Sequence, residues 1–269
     1  MTYASVNGLR LYHEVHGSAA SAERAGGRPL VLLHGGLTTI GLDFGSLLAP
    51  LAADRPVIAV EQQGHGHTAD TGRDMTMAAL AGDVVALLDH LGVPEADLFG
   101  YSLGGLVACT VARTAPARVG KMIVASADVQ RPPGRESRPL TEDLLPTQAD
   151  FTAMQDAYAA AAPDPGNFDK IAAKTTALVH TMPGWTDDEL RSLRTPTLLV
   201  FGDRDFSPLS DVQELFGLLP DAQLAVLPGT THMGVTRRPD RILALIRPFL
   251  DASEHPAASP TGGCAAGGT

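Results

Sequence analysis

The stretch Gly100-Tyr101-Ser102-Leu103-Gly104-Gly105 decides the fold. It follows the apolar run Asp97-Leu98-Phe99 and precedes a helical run that begins at Leu106. A serine in the pattern G-x-S-x-G at a strand-to-helix turn is a nucleophile elbow, and its glycines are needed because a side chain there would clash with the neighbouring strand or helix. We predict that the Ser102 hydroxyl projects from the carboxyl edge of a sheet and that the Leu103 N–H points where negative charge develops. An incidental serine in a glycine-rich turn is the alternative, which this strand–helix context disfavours.

Short apolar runs alternate with helical patterns along most of the chain. A hairpin is predicted from Thr2 to His16 around the turn Asn7-Gly8, followed by a loop at 17–28. Further strands are predicted at 30–33, 56–60, 97–99, 121–125, 197–201 and 223–227, and helices at 45–53, 76–91, 106–112, 210–219 and 239–250. Continuously apolar strands that alternate with helices indicate a mostly parallel sheet with helices on both faces.

This alternation is interrupted between residues 128 and 194. The stretch starts with breaker-rich sequence and continues with alanine-rich helical segments at 142–162, 167–182 and 186–193. We predict a helical cap inserted into one sheet domain formed by residues 1–127 and 195–251. An independent second domain is the alternative, but a stretch this short with few aromatic residues would have a thin core. Residues 252–269, rich in Gly, Ala, Ser and Pro, are predicted to form a disordered tail.

Composition limits the class of protein. The chain has 269 residues, 44% of them hydrophobic, enough to bury a large core. A formal net charge of −10 argues against nucleic-acid and anionic-membrane surfaces, which favour basic patches. No secretory signal or apolar run of about 20 residues is visible, and the two cysteines, Cys109 and Cys264, offer no disulfide framework. We therefore expect a soluble, cytoplasmic enzyme.

A serine nucleophile needs a base, and nine histidines are candidates. His232 follows a predicted strand in the turn-rich stretch 228–234, so it should face the same sheet edge as the elbow. The alternative is an exposed loop histidine. His65 and His67 suggest a metal site, but they lack Cys or carboxylate partners at ligand spacing. We expect no metal and no cofactor.

An acid must orient that base. Asp205 lies three residues past Gly202, the glycine that ends a predicted strand, so its carboxylate can turn towards the sheet edge. Asp203 is closer to the strand and is better placed to cap the turn, and Asp128 follows another strand as a further candidate. Asp205 is the preferred acid, which gives the chain order Ser–Asp–His.

These motifs together resemble those of the α/β-hydrolase family. The matching pieces are, in chain order, His34-Gly35-Gly36, Gly64-His65-Gly66, the elbow at Ser102, Gly202-x-x-Asp205 and the His232 loop. The resemblance covers nearly everything from residue 2 to residue 251. It implies an α/β fold with an eight-stranded sheet and a cap between the sixth and seventh strands.

The resemblance also implies a second oxyanion donor, the N–H of Gly36, with Leu37 as the fallback. Family members commonly have Asp-x-Arg before the Gly-His-Gly loop, where this chain has Glu61-Gln62-Gln63. The substitution removes a charged structural contact and affects no member of the Ser–Asp–His set.

Several reactions are compatible with the resemblance, because one fold hosts many chemistries. We expect an acyl-enzyme hydrolase that cleaves an uncharged, medium-sized ester or lactone and binds neither nucleic acid nor a membrane, with the oligomeric state left open. A perhydrolase, a C–C bond hydrolase or a receptor that keeps the fold are alternatives, whereas a haloalkane dehalogenase would need a carboxylate nucleophile. The predicted substrate-binding residues are Leu37, Ile40, Met154, Tyr158, Met182, Trp185, Phe206 and Met233.

Overall fold

A computed structural model describes residues 2–127, 129 and 141–252. The strands are β1 (Thr2–Val6), β2 (Leu9–His16), β3 (Leu30–Leu33), β4 (Val57–Val60), β5 (Ala96–Tyr101), β6 (Val119–Ala125), β7 (Thr197–Arg204) and β8 (Ala222–Thr231). The helices are α1 (Ala19–Arg24), α2 (Ile40–Asp54), α3 (Met77–His90), α4 (Leu103–Thr114), α5 (Gln148–Ala161), α6 (Phe168–Thr181), α7 (Asp187–Ser192), α8 (Leu209–Leu218) and α9 (Pro239–Asp251). None of the helices in these ranges has the length and apolar character needed to span a membrane.

The strands form one eight-stranded sheet in the order β1-β2-β4-β3-β5-β6-β7-β8. The β1–β2 and β2–β4 pairs are antiparallel, and all the others are parallel. The predicted α/β-hydrolase fold with a mostly parallel sheet is therefore confirmed.

Two hydrophobic cores cover the two faces of the sheet. Successive residues of each central strand alternate between them, so that Leu98 belongs to one core and Phe99 to the other. Helices α3, α4 and α8 cover the face that includes Leu98, and α2 and α9 cover the face that includes Phe99. The near-continuous apolar strands follow from this double coverage.

Two predicted elements near the start of the chain differ in the structure. The predicted loop at 17–28 contains the short helix α1, which begins after Ser18 because Ser18 and Ser21 form a reciprocal capping box. The predicted helix at 45–53 starts earlier, at Ile40, where the Thr39 hydroxyl accepts the Leu42 N–H.

Helices α5, α6 and α7 lie between β6 and β7, in the stretch assigned to the cap. Ion pairs attach all three to the rest of the protein, and Glu189 of α7 pairs with Arg113 of α4 at 2.5 Å. In α6, Lys174 lies 2.8 Å and Lys170 3.0 Å from the buried carboxylate of Asp70, in the loop after β4. Asp150 of α5 pairs with Arg237 in the loop between β8 and α9, at 2.5 Å. Residues 128, 130–140 and the predicted tail from 253 lie outside the described residues.

Candidate active site

The sheet topology creates a crevice at the carboxyl ends of β3 and β5. These strands are neighbours, but the chain leaves β3 towards β4 on one side and leaves β5 towards β6 on the other. Ligands of open parallel sheets bind at such a switch point. Two loops meet there: residues 34–39, which follow β3, and the elbow at Ser102, which follows β5.

The elbow at Ser102 is a strained turn between β5 and α4. Ser102 has φ 52° and ψ −117°, an unusual conformation for a residue with a side chain. A Cβ atom on Gly100 would lie 2.2 Å from the Gly104 carbonyl oxygen, and one on Gly104 would lie 2.0 Å from that of Leu33. Close packing of strand and helix therefore requires both glycines, as the sequence pattern predicts.

The side chains of Ser102, His232 and Asp205 form a continuous hydrogen-bonded chain. Nε2 of His232 lies 3.0 Å from Oγ of Ser102, and its Nδ1 lies 2.7 Å from Oδ1 of Asp205. Strand β8 runs to Thr231, further than predicted, so that His232 follows directly at the strand end. The geometry suits a histidine that accepts the serine proton while the carboxylate holds its other nitrogen protonated.

The Asp205 carboxylate accepts hydrogen bonds from four groups, one of which is the Gly202 N–H at 3.4 Å. Its Oδ2 accepts the Ser126 hydroxyl at 2.5 Å, and its Oδ1 accepts the Phe206 N–H at 2.7 Å, besides its contact with His232. Burial acts to raise the pKa of Asp205, but these hydrogen bonds and the charge of His232 outweigh it and hold the pKa below its usual value. Asp205 therefore stays ionised beside the imidazole.

The other candidate acids have different positions. The exposed Asp203 accepts the Thr230 N–H at 3.0 Å and so caps the junction of β7 and β8. Asp128 lies outside the described residues.

The two residues predicted to supply the oxyanion donors lie close together beside Ser102. Leu103 is the first residue of α4, so its N–H has no intrahelical acceptor. A Cβ atom on Gly36 would lie 3.9 Å from the Leu103 Cβ, and both residues line the same cavity as Ser102. The fallback residue, Leu37, also lines it and has φ 63°, a left-handed conformation that is unusual for leucine.

A cavity of about 330 Å³ opens above Ser102 between the sheet edge and helices α5 and α6. The predicted substrate-binding residues Leu37, Met154, Phe206 and Met233 line it. Besides Ser102 and His232, its other side chains include the apolar Leu106, Phe151 and Val179, four hydroxyls and one further imidazole. Those polar side chains are Ser126, Thr175, Thr176, His180 and Ser207.

Four predicted pocket residues lie elsewhere, which corrects those assignments. Ile40 is buried against the sheet in the core under α2, and Tyr158 packs edge-on against Phe168 within the cap. Met182 and Trp185 belong to the core on the other face of the sheet. They lie where the chain leaves the cap for β7, which starts at the opposite edge of the sheet. Arg113, near the far end of α4, sits over the Trp185 ring.

The sequence prediction missed the polar side chains of the cavity. Ser126 directly follows β6, so the strand-end argument that found Asp205 and His232 would also have found it. Thr175, Thr176 and His180 lie on α6. Which side of α6 faces the cavity depends on how this helix packs against the rest of the protein. No sequence signal marks that side.

The Glu61-Gln62-Gln63 departure is accommodated by local contacts. The Glu61 carboxylate accepts the N–H of His67 at 2.6 Å, and Gln63 accepts from the guanidinium of Arg73. The Gly64-His65-Gly66 loop is thus flanked by contacts of Glu61 and Gln63 where family members commonly have Asp-x-Arg. In the ranges that the structure describes, no three His, Cys, Asp or Glu side chains are grouped so that they could hold a metal ion.

Comparison with known proteins agrees with this architecture. The family model "Alpha/beta hydrolase family" matches residues 30–245, and the chain belongs to that family. The chain is 27% identical to the putative carbamate hydrolase RutD of Caulobacter sp. (strain K31), over 93% of this chain and 98% of the relative. It is similar to the crystal structure of an esterase, RhEst1 from Rhodococcus sp. ECU1013, with 26% identity, a TM-score of 0.71 and coverage of 94% and 99%.

A shorter match has a higher identity. The chain is 43% identical over 106 residues to the dihydrolipoyllysine-residue acetyltransferase component of an acetoin cleaving system of Pseudomonas putida. That match covers 38% of this chain and spans only 28% of the length of the relative. Family and relatives together support hydrolase activity.

Proposed function

We propose that the protein is a serine hydrolase that cleaves a carboxylic ester or lactone through an acyl-enzyme. The observation that carries the proposal is the unbroken chain from Ser102 Oγ through both nitrogens of His232 to Asp205, at 3.0 and 2.7 Å. A hydroxyl is a weak nucleophile unless a base takes its proton and a third group orients that base. Here His232 is the base and Asp205 is the group that orients it.

The reaction follows from this geometry in two halves. Oγ of Ser102 attacks the carbonyl carbon while its proton moves to Nε2 of His232, and Asp205 stabilises the imidazolium. The N–H groups of Leu103 and Gly36 receive the oxyanion, which then collapses as the imidazolium protonates the leaving alkoxide. Water, deprotonated by the same imidazole, releases the acid and restores Ser102.

The cavity supports an uncharged acyl group of moderate size. Its wall includes Leu37, Leu106, Met154 and Met233, against which a charged acyl chain would lose its hydration without an ionic partner. A volume of about 330 Å³ is at the small end of the range for ligand sites. The compatible substrates are short- to medium-chain esters and lactones.

The test compares the wild-type protein with Ser102→Ala on p-nitrophenyl butyrate and on a panel of esters, lactones, thioesters and carbamates. We expect ester turnover by the wild-type protein, and a loss on the order of 10³-fold or more in the variant. Ser207→Ala is the matched control, because its serine lines the same cavity outside the hydrogen-bonded chain.

Mass spectrometry of the products separates the alternatives. An acid plus an alcohol, with transient acylation of Ser102, supports the proposal. Peracid formation or C–C cleavage as the preferred reaction would replace it by one of the other chemistries of the fold. Labelling of Ser102 by a fluorophosphonate without turnover of any substrate would favour a receptor. Undiminished hydrolysis by Ser102→Ala would overturn the mechanism.

A further inference from the structure

A buried carboxylate lies behind the loop that carries Gly36. Asp43 is in the first turn of α2, where the helix dipole favours negative charge, and only 4% of its surface is exposed. Its Oδ2 accepts the N–H of Gly35 at 2.8 Å and the hydroxyl of Thr38 at 2.5 Å. The mechanism above makes no use of this group.

The two partners of Asp43 bracket the candidate oxyanion donor. Gly35 and Thr38 lie on either side of Gly36 and Leu37, so one carboxylate oxygen ties both ends of a four-residue loop. Within that loop Leu37 has φ 63°, which an isolated leucine avoids. A strained backbone persists only where surrounding contacts determine it, and the Asp43 contacts are of that kind.

The same loop rests on a residue that contacts the base. A Cβ atom on Gly35 would lie 3.0 Å from the Tyr101 ring, so ring and loop are in close contact. The Tyr101 hydroxyl donates to the backbone carbonyl of His232 at 3.0 Å. The loop at residues 35–38 is therefore held by the Asp43 carboxylate and also contacts the ring of Tyr101, whose hydroxyl binds the backbone of His232.

Packing alone does not explain a carboxylate at position 43, because burial disfavours its ionised form. Burial raises its pKa to about 6, despite the hydrogen bonds from Thr38 and Gly35, and the charged and titratable groups that face it are Arg237, His232 and Tyr101. A neutral residue of the same shape would avoid this desolvation. What the carboxylate adds is a charged acceptor, which holds an amide N–H more firmly than a neutral one.

We propose that Asp43 is a positioning residue whose carboxylate clamps Gly35 and Thr38 and so aims the Gly36 N–H at the developing oxyanion. Asp43 acts through the loop and does not touch the substrate. The inference rests on the proposed function, because it assigns a purpose to the loop only if charge develops beside Ser102.

The experiment measures two rates for Asp43→Asn, the reaction of Ser102 with a fluorophosphonate and the steady-state hydrolysis of p-nitrophenyl butyrate. We expect both to fall by about 10-fold or more, with kcat rather than KM affected, because the lost interaction is made in the transition state. Thr38→Val, which removes one arm of the clamp, should cause a smaller loss in the same direction. Asp54→Asn, at the partly exposed opposite end of α2, is the matched control and should match the wild type.

The pH profile separates positioning from mere structural support. The ratio of wild-type to Asp43→Asn activity should be largest above about pH 7 and approach one below about pH 5, where the wild-type carboxyl is also protonated. A ratio that is constant with pH, or unchanged rates in both Asp43→Asn and Thr38→Val, overturns the inference.

The failure of the proposed function has a different signature. A wild-type protein that is labelled at Ser102 but hydrolyses no ester overturns the proposed function. The relative labelling rates of Asp43→Asn, Thr38→Val and Asp54→Asn still decide the role of Asp43 in that case.

Discussion

The phenyl ring of Phe206 lies flat against the imidazole ring of His232, with ring centroids 3.9 Å apart and planes inclined by 10°. The backbone N–H of the same residue donates to Oδ1 of Asp205, the atom that contacts His232. One residue thus restrains both the imidazole and the carboxylate that orients it.

Removing that ring should loosen the imidazole while leaving the hydrogen bonds in place. We expect Phe206→Ala to lower kcat by about 2- to 10-fold, the equivalent of about 0.5–1.5 kcal/mol for an aromatic pair. Steady-state hydrolysis of p-nitrophenyl butyrate measures the effect. Phe216→Ala, which removes a partly exposed ring on α8, is the control, and an equal loss in both variants would contradict the role of the stack.

The acid can be tested against its neighbour two residues away. Asp205→Asn keeps the shape of the side chain but disfavours the tautomer of His232 that accepts the Ser102 proton, so kcat should fall by roughly 10²- to 10⁴-fold. Asp203→Asn alters an exposed turn contact with Thr230 and should cost far less. The two kcat values, measured with circular dichroism as a check of folding, decide the assignment. A larger loss in Asp203→Asn would reverse it.

The sequence predicted the sheet well because its strands are buried on both faces. Continuous apolar runs mark β3 and β4 without reference to distant residues. The carboxyl ends of β7 and β8 extend further than predicted, because the added residues there are polar or are Gly and Pro, which do not indicate a strand. Arg204 pairs with Thr231 across a register shift, which depends on the partner strand and not on local pattern.

The site was predictable wherever a residue ends a strand. Ser102, Asp205 and His232 all follow the carboxyl ends of parallel strands, which meet at one edge by construction. Cap residues have no such rule. Met154 and Trp185 are both apolar, yet one lines the cavity and the other fills a core, because tertiary packing decides which residues face the site.

The charge of Asp43 should make stability depend on pH in a defined direction. Because the carboxyl has an ordinary pKa of 3.8 and a folded pKa of about 6, the folded state binds the proton more tightly. Proton binding to Asp43 therefore adds to the free energy of unfolding below about pH 4, and this contribution is lost as the pH rises through 6. Asp43→Asn removes this dependence.

The measurement is the difference in Tm between Asp43→Asn and the wild type, at pH 4.5 and at pH 8. We expect the Tm of Asp43→Asn, taken relative to that of the wild type, to be higher at pH 8 than at pH 4.5. The variant should nevertheless lose activity at pH 8. Asp54→Asn controls for the loss of one negative charge on the same helix. A difference that stays constant between the two pH values would mean that Asp43 is not titrating in this range.

The last prediction separates two apolar cap-region residues by their places in the fold. Met154 lines the cavity above Ser102, so Met154→Ala should enlarge it and favour longer acyl chains. The expected change in relative kcat/KM between butyrate and octanoate esters is about 1–3 kcal/mol or less. Fluorophosphonate labelling of Ser102 should stay nearly unchanged, because that probe is small and unselective.

Trp185→Ala is the matched variant, because Trp185 is equally buried but lies in the core beneath Arg113. Trp185→Ala should leave the ratio of kcat/KM between butyrate and octanoate esters unchanged. It should lower the free energy of unfolding by about 3–5 kcal/mol, because it leaves a large cavity in the core. Urea denaturation and the ester panel measure the two effects on the same samples. If Trp185→Ala shifts chain-length preference as strongly as Met154→Ala, the cavity extends into that core and the cap docks differently from the arrangement described above.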